Sequence, residues 1–209
     1  MRLYKLAPEK LSVHTRLTAD DDCYYLFEYV SHKGPAFSRT NALIADLKIK
    51  PCDAAKDSEN RKGQAIDRCA AALRSALEPS WVRGTTFVPI PSSKTPDHPD
   101  YDDRMERICA GLGPAADVRP LLRQGYSLPA AHEAAKGERP SVDVLFRVLA
   151  VDEALLAPPI RHIVLVDDVL TSGTHYRAAH QRLRVQFPDT PISGLFIARR
   201  KFAPRFFRR

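Results

Sequence analysis

The chain has 209 residues, 44% hydrophobic and 27% charged, with a formal net charge of +7. That length supports one well-filled core with a small appendage. No apolar run approaches the ~20 residues of a membrane helix, and four cysteines without Cys-x-x-Cys spacing argue against a zinc site or a disulfide framework.

The start, Met1-Arg2-Leu3-Tyr4-Lys5-Leu6, lacks the apolar stretch of a secretory signal, so a cytoplasmic protein with reduced thiols is expected. Residues 1–58 read as a hood separate from the main sheet. Within it, Cys23 to Val30 is aromatic and β-branched and predicts a strand. Asn41 to Lys48 predicts a helix capped by Thr40, and Pro51 to Asn60 predicts a polar loop. Residues 59–198 read as the core. Arg61 to Glu78 has Ala65, Ile66, Cys69, Ala70, Leu73, Ala76 and Leu77 at helical spacing, with Pro79 to end it. A central strand at Thr85 to Ile90 runs into a proline-stiffened loop, and Asp102 to Leu112 resumes as helix. Val118 to Leu122 predicts a short strand, residues 125–140 a lid, and Val142 to Leu149 either strand or helix. A buried strand at Ile163 to Leu170, a helix at 174–187 and a strand at Ile192 to Ala198 complete an α/β pattern. It implies a mostly parallel central sheet flanked by helices, with ligands at the strands' C-terminal ends.

The most informative segment is Ile163-Val164-Leu165-Val166-Asp167-Asp168-Val169-Leu170-Thr171-Ser172-Gly173-Thr174. Paired carboxylates at a strand end can accept from a diol or hold hydrated Mg²⁺, directly or through water. The turn after them offers N–H groups, hydroxyls and a helix N-terminus, which suit a phosphate monoester. Together they describe a phosphorylated ribose. Ser92, Ser93 and Lys94, after the other central strand, form a second anion cradle on the same sheet edge. The bland reading of each is a capped helix or a rigid surface turn.

The Asp-Asp-Val-Leu-Thr run resembles the ribose-5-phosphate signature of type I phosphoribosyltransferases. The order Leu47-Lys48, Pro89-Ile90-Pro91, an Arg-containing lid and then this run is similar to the ComF-like branch. The resemblance implies the type I phosphoribosyltransferase fold. It also implies Mg²⁺-dependent transfer of ribose 5-phosphate from phosphoribosyl pyrophosphate (PRPP) to a nitrogen base, with release of pyrophosphate. Asp167 and Asp168 would face the ribose hydroxyls, and Thr171, Ser172, Gly173 and Thr174 would wrap the 5′-phosphate. Ser92, Ser93 and Lys94 would hold pyrophosphate, in that family often through a cis peptide. His132, Lys136 or Arg139 of the lid would close over it. Thr171 stands where 6-oxopurine enzymes have an aspartate, which turns the acceptor away from those bases. Two differences from the branch are the lack of a Cys-rich N-terminal module, and Tyr101-Asp102-Asp103-Arg104-Met105 in place of an Arg-Gly-Phe-Asn-Gln segment.

The second functional class is a non-catalytic PRPP- or nucleotide-binding sensor or subunit. The basic tail, residues 199–209, interleaves arginines with Phe202, Phe206 and Phe207. It suits nucleic acid, an acidic protein partner, or packing back on the body. No membrane partner is expected, and the acceptor base and oligomeric state stay open.

Overall fold

The computed structural model describes residues 1–127 and 140–203. The elements are β1 (Tyr4–Lys5), β2 (Cys23–Val30), α1 (Arg39–Leu47), α2 (Arg61–Ala76), α3 (Pro79–Arg83), β3 (Thr86–Pro89), α4 (Arg104–Ala110), β4 (Asp117–Val118), β5 (Leu122–Gln124), α5 (Val142–Val148), β6 (Leu149–Val151), β7 (Ile163–Leu170), α6 (Thr174–Gln186) and β8 (Ile192–Lys201). The main sheet has the order β1-β2-β8-β7-β3-β4. Only β1 runs antiparallel, and β5 and β6 form a separate antiparallel pair. The chain is thus α/β with a mostly parallel sheet.

Both sheet faces are covered. Leu43, Ile44 and Leu47 of α1, Ile66 and Leu73 of α2 and Ile108 of α4 pack on one face with Val164 and Val166. Tyr176 and Leu183 of α6 and Leu145 of α5 pack on the other with Ile163 and Leu165. This two-sided burial explains why β7 reads as a continuous apolar run.

Cys23–Val30 forms the expected strand. β2 lies beside β8 in parallel register, Tyr25 opposite Phe196, and α1 shares the core of α2. The apolar faces of β2 and α1 have no core of their own to fill, so they complete the main one. Arg199, Arg200 and Lys201, the first residues of the basic stretch, end β8. There Glu28 pairs with Arg199 and Lys201, and Arg200 donates to the Val13 carbonyl. Residues 204–209, with Phe206 and Phe207, lie outside the described residues.

Local capping shifts other boundaries. Ser38, not Thr40, caps α1, its hydroxyl accepting from the Asn41 N–H at 3.0 Å. Asn60 caps α2 from a left-handed conformation by accepting from the Gly63 N–H; a side chain at Gly63 would meet it at 2.4 Å. A 3-10 turn occupies Pro51–Lys56 of the expected loop. The strand expected at 118–122 divides between β4 and β5, because Pro120 has no N–H for a ladder. Residues 142–148 are helical, with Ser141 as cap. All four cysteines are free. Among the described residues no helix is long and apolar enough to cross a membrane.

Candidate functional site

Parallel pairing puts the C-terminal ends of β3 and β7 side by side, with Pro89 opposite Val166. The Ser92–Lys94 turn and the Asp167–Thr174 segment therefore leave from the same edge. In β7 the side-chain alternation breaks here. Val164, Val166 and Val169 share one core while Ile163, Leu165 and Leu170 share the other. Asp167 and Asp168 occupy the break, while the ladder to β8 keeps one register from Asp167–Phe196 to Val169–Ala198.

The two carboxylates have different surroundings. Asp168 is 4% exposed. Its Oδ1 accepts from the Val169 N–H, and its Oδ2 accepts from Arg104 Nη2 at 2.7 Å, Arg104 Nε at 3.2 Å and Lys48 Nζ at 3.2 Å. Arg104 also pairs with Asp102, which takes Lys62 Nζ at 2.8 Å. Lys62 donates further to the carbonyls of Leu47 and Ile49. Burial works to raise the Asp168 carboxyl, but the Lys48 and Arg104 cations hold it well below the usual carboxylate range. Asp167 is half-buried. Its Oδ1 accepts from the Asp168 N–H at 2.8 Å, while Oδ2 has no partner among the described residues. Burial and the neighbouring Asp168 charge push its carboxyl up.

The loop after β7 is braced from the N-terminal segment. His14 Nδ1 donates to the Thr171 carbonyl at 2.5 Å, and the Arg16 N–H donates to the Ser172 carbonyl at 2.9 Å. Arg177 of α6 reaches back to the Arg16 carbonyl and to Asp21. Gly173 has φ of +88°, and a side chain there would run into Leu17 at 1.9 Å. Ser172 and Thr174 hydroxyls are 2.9 Å apart and half-buried, at the start of α6. Burial lowers the His14 imidazole below its usual range, with Arg199 and Arg200 adding to the effect against the Thr171 bond.

In the second turn, Ser92 Oγ accepts from the Lys94 N–H at 3.3 Å and donates to the Lys94 carbonyl. Thr95 is tied to Ser127. The peptide bonds of this turn are trans; the cis bond among the described residues is Ala157–Pro158. Lys94 has no carboxylate partner among the described residues.

The expected residues Asp167, Asp168, Thr171 to Thr174 and Ser92 to Lys94 thus share one sheet edge, whereas His132, Lys136 and Arg139 lie outside the described residues. Sequence reasoning missed Arg104, Asp102, Lys62, Arg16, Leu17 and His14 as parts of this edge. The nearest signal was Arg104 standing in a segment that differs from the ComF-like pattern. Among the described residues no cluster of three or more His, Cys, Asp or Glu side chains suits a metal ion. The Asp167 Oδ2, without a partner among the described residues, is a donor of the kind Mg²⁺ takes when it binds through one or two carboxylates and keeps its waters. No protein-family model matches the chain, and no curated protein matches it.

Proposed function

We propose that this edge binds Mg²⁺–PRPP and transfers its ribose 5-phosphate to a nitrogen base on a type I phosphoribosyltransferase fold. The observation that carries the reading is that two anion-suited turns leave one sheet edge beside half-buried Asp167, whose Oδ2 has no partner among the described residues. The Thr171–Thr174 turn takes the 5′-phosphate on N–H groups and hydroxyls at the start of α6. Ser92, Ser93 and Lys94 take the pyrophosphate. Asp167 faces the ribose, and Asp168, held by Arg104 and Lys48, fixes the strand end that presents it. Bound Mg²⁺ supplies charge neutralisation on the departing phosphates. The bond from the anomeric carbon to the pyrophosphate oxygen breaks, its electron pair leaving with pyrophosphate. The base nitrogen then bonds to that carbon and gives up its proton. Catalysis is positioning and electrostatics, with no protein nucleophile.

A second reading, a PRPP- or nucleotide-binding subunit without turnover, is favoured by the internal engagement of both Asp168 oxygens, which leaves one carboxylate for the ribose. Pyrophosphate release from PRPP with a panel of nitrogen bases separates the two. Release with one base supports the enzyme. Stabilisation by Mg²⁺–PRPP without release for any base supports the binding subunit. No stabilisation at millimolar PRPP contradicts both.

A further inference from the structure

A cleft of about 500 Å³ opens between α1, α2 and β2, at the end of α1 opposite Lys48. Its apolar surface comes from Met1, Phe27 of β2, Leu43 of α1, and Ala71 and Ala72 of α2, whose small side chains leave the space. Arg39, on the first turn of α1, and Arg68, on α2, stand at its walls. No acidic residue lines it, and neither guanidinium has a hydrogen-bond or ion-pair partner among the described residues.

The volume falls in the range of small-molecule sites, ~300–1,000 Å³, where apolar lining supplies affinity and a few polar groups orient the ligand. Two guanidinium groups facing an apolar surface ask for one anionic head on an apolar body. A carboxylate matches the planar guanidinium fork by paired N–H···O bonds. We propose that this cleft is a binding site for a small amphipathic carboxylate. The apolar body lies on Phe27, Leu43 and the alanines, and the carboxylate sits between Arg39 and Arg68. The site is separate from the Asp167 edge and stands whether or not PRPP binds there.

Calorimetric titration of the protein with decanoate below its micellar concentration tests this, with decan-1-ol and phosphatidylglycerol vesicles as comparisons. Decanoate binds at one saturable site and more tightly than decan-1-ol. The double variant Arg39→Ala with Arg68→Ala, both exposed positions, weakens decanoate by about tenfold or more, since two charge-assisted contacts are lost. Ala71→Trp fills the cleft and abolishes binding of both. Melting temperatures matching the wild type show that these surface variants fold. The proposal is overturned if decanoate does not saturate, if decan-1-ol binds as well, or if the folded arginine variant binds unchanged. Binding to vesicles alone, which marks a membrane surface, also overturns it.

Discussion

Arg104, on the first turn of α4, donates to Asp168, near the end of β7 and sixty-four positions along the chain, through Nη2 at 2.7 Å. This pair ties α4 to the central strand at the point where the side-chain alternation breaks. Lys48 at the end of α1 closes the same carboxylate from a third element.

Removing one partner of such a pair leaves a buried charge with less compensation. Arg104→Ala is expected to lower the unfolding free energy by about 3 kcal/mol, with Asp168 keeping Lys48 as its remaining cation. Urea denaturation measures it. A loss below about 1 kcal/mol would place the pair in the class of weak surface bridges.

The two aspartates should affect stability with opposite sign. Asp168 has a folded value below its unfolded one, so its contribution is complete above the ordinary carboxylate range and is lost as pH falls through the depressed value. Asp167 has a raised folded value, so the folded state bears a cost that sets in as pH rises through the ordinary carboxylate range and is complete above the raised value. Asp167→Asn should therefore raise the melting temperature at pH 8, with the gain shrinking toward pH 4. A gain that is equal at both pH values would contradict the assignment.

Gly173 is constrained twice, by its left-handed backbone and by Leu17. Gly173→Ala should destabilise the protein by at least ~1–2 kcal/mol from the backbone alone. Leu17→Ala should recover the steric part in the double variant but not the backbone part. Additive losses in the double-mutant cycle would show that Leu17 does not press on this turn.

His14 is buried and its folded value is lowered, so its contribution is complete above its ordinary value, about 6.5, and is lost as pH falls below it. Between pH 7 and 5 the wild type should lose more stability than His14→Gln, whose amide N–H can still donate to the Thr171 carbonyl. Parallel pH curves for the two proteins would remove His14 as the source.

The parts legible in the sequence were those with a local signature. The apolar run before Asp167, the strand at Cys23–Val30 and the periodic helix from Arg61 each carry their own pattern, and their boundaries fall within two residues of the observed ones. The sharing of one edge by two turns followed from strand order. The Lys48–Asp168–Arg104–Asp102–Lys62 network was not legible, because its members come from four separate segments and each alone is an ordinary surface charge. The brace from residues 14–17 was hidden for the same reason: one of its two bonds runs between backbone groups and the other ends on a backbone carbonyl, which residue identity does not report. The membership of β2 in the main sheet depended on which edge of β8 lay open, a tertiary fact.

The most direct measurement is calorimetric titration of Mg²⁺–PRPP into the wild type and into Asp167→Asn. A phosphoribosyl site requires saturable binding of one equivalent by the wild type. It also requires a loss of about tenfold or more in the variant, even though that variant is the more stable protein at pH 8. Equal binding by the two proteins, or no saturable heat at millimolar PRPP, would contradict it.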